Sequence, residues 1–223
     1  NEAFKYSRKL ERQKIDSFES NLIIGIVYLK NSKFELAKKY FLKAKDKNSK
    51  FVLNNYVSSS LYNWSNLAGV DIDYANSELN KLDKRFQNLK KIQKTFLNCY
   101  HNNSNTNELF IELSSNQKID FSRYNYFYAS HVASAGKIDE AKNIVRSALK
   151  FYPRNLLLNQ YKIDLNESKN LNIFNCKKEE HVIAEILYIT ANALSAQTMY
   201  SLSNFYLNLA KFLNEDFYSF ETL

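Results

Sequence analysis

Apolar residues recur three and four positions apart through almost the whole chain, the spacing that places them on one face of a helix. Residues 2–14, with Ala3, Phe4 and Leu10 among charged neighbours, predict one short helix. Phe18, Leu22, Ile23, Ile26, Val27 and Leu29 form the first long stripe, which stops at the polar turn Lys30-Asn31-Ser32-Lys33. Phe34, Ala37, Phe41 and Ala44 form a second, ending near Asn48 and Ser49. Neither stripe can be buried alone, so the two helices must fold back on each other as an antiparallel hairpin.

The pattern then repeats. Val52, Tyr56, Leu61, Trp64 and Leu67 predict a helix over residues 51–68 that stops around Gly69, and Ile72, Ala75, Leu79, Leu82 and Phe86 predict one return helix. A helix over residues 89–100 precedes the polar turn 101–105, and Leu109, Phe110 and Leu113 continue as a short helix. An aromatic-rich helix over residues 121–134 is broken by Gly136, and its partner opens at Ile138 and runs to the stop at Tyr152-Pro153. A helix over residues 156–167 leads into a polar, Asn- and Lys-rich stretch, 168–179, that predicts an irregular segment. The last pair covers residues 180–195 and 199–213, and no charge falls between Ile186 and Leu209, so this pair is expected to lie sandwiched between neighbours.

Composition agrees with helices for a negative reason. The 16 Tyr and 16 Phe would by intrinsic preference favour strands. Yet 3 Gly and 1 Pro are too few for a fold of many tight hairpins or of glycine-lined phosphate loops, whereas helices joined by polar turns need few breakers.

Aligned with one another, the pairs show small residues in the first helix and a ladder of small and aromatic residues in the second. Gly25, Tyr28, Ala37, Phe41 and Ala44 carry it once, and Ala129, Gly136, Ala141, Ala148 and Pro153 carry it again. This resembles the tetratricopeptide repeat, a helix-turn-helix unit of about 34 residues. Ala37 and Ala75 lie 38 residues apart, and Ala75 and Ala141 lie 66 apart, close to one and two units. Segments 18–49 and 122–153 match well; 56–87, 89–115 and 184–215 match more loosely, and Asn21 and Asn125 stand where such repeats often carry Trp. The ending Ala184-Glu185, Ala191-Asn192-Ala193-Leu194 and Tyr206-Leu207-Asn208-Leu209-Ala210 is also similar to that of a family of large alphaproteobacterial tetratricopeptide proteins. That resemblance implies no defined activity, and implies that the chain is an amino-terminal portion of something longer. The expected fold is all-α, an α-α superhelix of antiparallel helix pairs forming one domain over residues 1–223.

No arrangement of chemical groups stands out. His101, His131 and His181 are isolated; His101 is expected in an exposed turn and His131 as a hydrogen-bonded histidine between helices. His181 and Glu185 share a helix face but lack the third ligand that zinc requires. Cys99 and Cys176 have no ligand-spaced thiol beside them and are expected as free thiols. No metalloprotease, phosphate-loop, nucleophile-elbow or calcium-loop motif occurs. The reading is therefore a protein that is not an enzyme, with no catalytic residues, no metal site and no cofactor.

The formal charge of +8 comes from 31 basic and 23 acidic residues that are dispersed along the chain. Two denser groups, Arg8, Lys9, Arg12 and Lys14, then Lys81, Lys84, Arg85, Lys90, Lys91 and Lys94, read as solvated faces, and nothing resembling a nucleic-acid module accompanies them. No segment has the roughly 20 apolar residues needed to cross a bilayer, so a soluble protein is expected. The start at Asn1 without an initiator Met suggests a processed protein or a fragment. What remains is shape. Stacked helix pairs present a concave surface lined by the first helix of each pair. Asn21, Tyr28, Asn55, Tyr62, Asn125 and Tyr128 are the residues expected there, since rings give area at low entropy cost and amides pair with a peptide backbone. A protein-interaction scaffold holding a peptide or helix is the leading expectation. The alternatives are a structural or oligomerisation module of a longer protein and an RNA-binding helical repeat.

Overall fold

The computed structural model describes residues 2–47, 52–67, 70–115, 122–217 and 219. Twelve α-helices, one 3-10 turn and no strand occur among them, in the α-α solenoid class of consecutive antiparallel pairs. The helices are α1 (Glu2–Arg12), α2 (Phe18–Lys30), α3 (Phe34–Lys47), α4 (Val52–Trp64), α5 (Ile72–Asn80), α6 (Gln87–Tyr100), α7 (Thr106–Ser114), α8 (Arg123–Ser134), α9 (Ile138–Phe151), α10 (Leu156–Glu167), α11 (Glu179–Ser195) and α12 (Tyr200–Leu213). The expected stops at Asn48, Ser49 and Gly69 and the expected start at Phe121 lie outside the described residues.

One boundary differs from expectation. The stripe from Ile72 to Phe86 is not one helix: α5 ends at Asn80, and a 3-10 turn, Lys84–Phe86, restarts the chain. Asp83 is the cause, because its carboxylate accepts a hydrogen bond from the Arg85 amide at 2.9 Å. Asp competes for backbone donors in this way and so marks a start more readily than a helix interior.

Helix ends explain how so few glycines suffice. After α1, α2, α6, α8, α10 and α11 one residue takes a left-handed conformation: Lys14, Ser32, Asn102, Gly136, Ser168 and Thr198. In each case the next amide bonds back five residues, as Lys33 to the Tyr28 carbonyl at 2.9 Å and Met199 to the Leu194 carbonyl at 2.9 Å. This closure satisfies carbonyls that a helix end leaves open. Glycine fills the position only at Gly136, so the turns are set by hydrogen bonding and packing against a modest conformational cost at the other five.

The chain divides into two compact units, residues 1–90 with 179–223 and residues 91–178. In the first, α1 packs on α2, α2 pairs with α3, α3 with α4 and α4 with α5. The pair α11–α12 joins the same unit, α11 against α4 and α12 against α2. The core holds Leu22, Ile24, Ile26, Phe41, Leu61, Leu187 and Tyr206, all fully buried. Residues 181–188 of α11 are buried without interruption, whereas the uncharged stretch expected to lie sandwiched is only partly so: residues 196–201 are exposed and α12 keeps an outer face at Asn204 and Asn208. His181 and Glu185 lie within that run. Across the hairpin, the Ser203 hydroxyl donates to the Ala191 carbonyl at 2.8 Å, and Lys30 of α2 donates to the Leu213 carbonyl of α12 at 3.0 Å.

A polar cluster fixes α1. Glu11 accepts from the Tyr40 hydroxyl at 2.9 Å and from Lys43 at 2.6 Å, and Arg8 pairs with both Glu11 and Tyr40. Burial raises the Tyr40 hydroxyl to about 12, helped by its hydrogen bond to Glu11. Burial opposes charge on Glu11, but the Lys43 and Tyr40 hydrogen bonds outweigh it and hold its pKa below the ordinary carboxylate value. A lowered folded-state pKa means that the contribution is full above the ordinary carboxylate range and is lost as pH falls through the folded value. Glu11→Gln should therefore destabilise the protein at neutral pH. In denaturation series run from neutral pH down past about pH 4, the usual carboxylate range, the gap to the parent should close. A gap that stays constant with pH would show that the Glu11 charge is not what matters.

In the second unit, α7 packs on α8, α8 on α9, and α10 on both α9 and α8. Its core is aromatic. Phe96 of α6 meets Phe110, Tyr124, Phe127 and Phe174 at ring separations of 6.2, 6.2, 5.2 and 5.3 Å. Phe174 belongs to the irregular stretch between α10 and α11, so that stretch is anchored by insertion into the core although it forms no helix.

Candidate functional site

The six residues expected to line a binding surface have different surroundings. Asn21 is fully buried, and its amide donates to Asp16 at 2.8 Å and to the Ser17 carbonyl at 2.8 Å, fastening the turn before α2. Tyr28 is half-buried between Phe4 and Tyr40, at ring separations of 5.9 and 5.5 Å. Asn55 is half-buried and accepts from the Ser59 hydroxyl at 3.2 Å, one turn along α4; Tyr62 is also half-buried. These four lie on α2 and α4, the helices against which α12 and α11 pack.

Asn125 and Tyr128 are brought together. Both line a groove of about 520 Å3 bounded by α7, α8 and α9. Tyr128 stacks on Phe110 at 5.7 Å with ring planes 17° apart, and burial followed by the charge of Glu140 raises its hydroxyl pKa. The Asn125 amide donates to the Ser122 carbonyl at 3.1 Å. Ile111 and Phe151, which also line the groove, are 51% and 80% exposed, an unusual state for a phenylalanine of this size. Sequence reasoning missed both. Phe151 lies just before the Tyr152-Pro153 stop, where a large apolar residue at a helix end was the available signal.

A second cluster sits elsewhere in the same unit. Cys99 of α6 and Cys176 of the irregular stretch form a disulfide, which corrects the expectation of two free thiols. Their separation of 77 residues carries no sequence signal, and only the docking of residues 168–178 brings them together. His131 of α8 places Nδ1 3.3 Å from the Cys99 sulfur, so it does join two helices. Its ring stacks on Phe110 at 5.6 Å, which fixes its plane. Burial, then the charge of Lys177, lowers its pKa. The donor atoms of Cys99, His131 and Cys176, the two sulfurs joined as the disulfide, all lie within 4.8 Å of one another, a grouping of possible metal donors that sequence spacing did not reveal. His101, expected at the surface, is half-buried beside Tyr100.

The denser basic groups are partly neutralised in place. Arg85 pairs with Asp83 at 2.8 Å and Lys91 with Glu112 at 3.3 Å, while Lys81 pairs with Glu78. No helix among the described residues is long and apolar enough to cross a membrane. No protein-family model, curated protein or solved structure matches the chain.

Proposed function

We propose that this chain is a non-catalytic protein-interaction scaffold of tetratricopeptide type that holds an extended peptide segment in the groove of Asn125 and Tyr128. The observation that carries the reading is that groove: it combines the two expected residues with the exposed apolar side chains of Ile111 and Phe151. Such a surface suits a peptide with one apolar side chain set against Phe151 and Tyr128, its backbone meeting Asn125, and a basic side chain near Glu140. An all-helical repeat with an apolar groove and no paired acid and base within it supports binding over catalysis. Pairing of Lys81, Arg85 and Lys91 with carboxylates reduces the free positive charge of the denser basic group, which favours a protein partner over the RNA alternative, because phosphate binding draws on cations.

The structural-module reading has a specific observation in the first unit, where α11 and α12 pack on α4 and α2 while Asn21 is bonded to Asp16 and Tyr28 packs against Phe4 and Tyr40. Binding is accordingly assigned to the second unit and structural support to the first.

Selection of a displayed random-peptide library on the whole chain tests the assignment. Peptides recovered should share an apolar anchor. Tyr128→Ala should weaken them about 30-fold, the size of a 2 kcal/mol anchor, whereas Tyr62→Ala should leave them unchanged. Equal binding to Tyr128→Ala and the parent, or loss with Tyr62→Ala instead, would remove the groove from consideration.

A further inference from the structure

We infer that Cys99, His131 and Cys176 form a redox-gated zinc site, a disulfide when oxidised and a three-ligand Zn2+ centre when reduced. Three donors from three separate elements, α6, α8 and the stretch after α10, converge within 4.8 Å, although a disulfide needs only two of them. The third is aimed. His131 Nδ1 lies 3.3 Å from the Cys99 sulfur, and its plane is held by stacking on Phe110. A thiolate sulfur at about 2.3 Å and an imidazole nitrogen at about 2.0 Å from one tetrahedral ion are about 3.5 Å apart, so this edge of the site is already close to zinc geometry. The other edge asks the two sulfurs to part to about 3.7 Å, the spacing of two thiolates on one zinc. The cysteine Cα atoms are 6.0 Å apart, and side-chain rotation supplies that movement without displacing the backbone.

Charge and space fit the same ion. Cys99 and Cys176 are both buried, and two thiolates with Zn2+ and a neutral imidazole sum to zero, so no net charge is left in a poorly solvated place. Beside the three donors is a cavity of about 20 Å3, also bordered by Ser130, Ser134 and Asn175. That is room for one water, the usual occupant of a fourth zinc position.

A phosphine or dithiol reductant supplies two electrons, and with two protons the S–S bond becomes two thiols while the reductant is oxidised. Zn2+ then displaces the two thiol protons to solvent and forms two S–Zn bonds, with His131 as third ligand. Either state ties the stretch after α10 to α6, so zinc replaces the covalent tie when the disulfide is reduced.

Cobalt titration of the whole chain tests this, with Co2+ as the spectroscopic probe and a non-chelating phosphine as reductant, under anaerobic conditions. The reduced protein should take up one Co2+ with thiolate-to-cobalt charge-transfer absorption and the visible bands of a tetrahedral site, and one equivalent of Zn2+ should abolish them. The oxidised protein has the same sequence and should give no such bands. His131→Phe keeps the stacking on Phe110 and both thiols; it should lower cobalt affinity at least tenfold, the lower bound even for groups that only support a ligand. Zn2+ should also raise the melting temperature of the reduced parent and leave that of the oxidised protein unchanged. The proposal is overturned if the reduced parent gives no charge-transfer band, if the band is as strong in His131→Phe, or if a parent that unfolds on reduction fails to refold with Zn2+.

Discussion

Replacing Cys99 and Cys176 together by alanine should lower the stability of the second unit by about 4 kcal/mol in metal-free buffer. The disulfide joins α6 to the stretch before α11 across 77 residues, nearly the whole length of that unit. Cross-linking points so far apart removes much of the freedom of the unfolded chain, and the loss grows with the logarithm of the loop. Residues 168–178 contain no helix, so the cross-link acts on a stretch with no helical hydrogen bonding of its own, alongside the insertion of Phe174 among aromatic rings. Denaturant midpoints with and without reductant should differ strongly for the parent and not for the variant. Hydrogen exchange should become faster first in residues 168–178. Equal midpoints for the parent in both conditions would mean that the cross-link contributes nothing.

The second large effect is expected where α2 and α3 cross. Phe41 is fully buried against Gly25, and Phe41→Ala should cost about 3–5 kcal/mol through lost burial and the cavity left behind. A Cβ added at Gly25 would stand 2.5 and 2.7 Å from atoms of the Phe41 ring, so Gly25→Ala should cost about 1–3 kcal/mol by overpacking. The two effects have one origin, and that makes them separable from general damage. In a Phe41→Leu background the ring is gone, and Gly25→Ala should cost clearly less than in the parent, a coupling of about 1 kcal/mol or more in a double-mutant cycle. Additive costs would show that Gly25 is required for some reason other than the ring.

Helix positions were almost entirely legible before any tertiary information, because each stripe is long and its period unambiguous. The starts at Phe18, Phe34, Ile72 and Ile138 and the break at Gly136 are where periodicity and polar turns put them. The break after Asn80 was missed because Leu82 and Phe86 continue the apolar spacing; a single carboxylate capping Arg85 overrode it. Asn21 and Tyr28 show a different kind of failure. Their place off the apolar stripe suggests solvent, but Asn21 is taken up locally by Asp16 in the turn before α2, and α1 adds a second covering layer in which Tyr28 meets Phe4. A residue off one stripe can still be enclosed when a third helix packs on that side.

The amino-acid sequence by itself determined that this chain is helical, where most of its helices lie and many of the residues that fill their shared cores, since those follow from spacing along a few turns; Asn21 and Ile24, both fully buried, are exceptions that spacing did not place in the core. Only the tertiary structure decided that α11 and α12 return to α4 and α2, that Asn125 and Tyr128 share a groove with Phe151, and that Cys99 meets Cys176 beside His131. Each of these joins residues far apart in the chain. Local periodicity carries no information about such meetings, because they are fixed by which surfaces remain unburied once the neighbouring helices have paired.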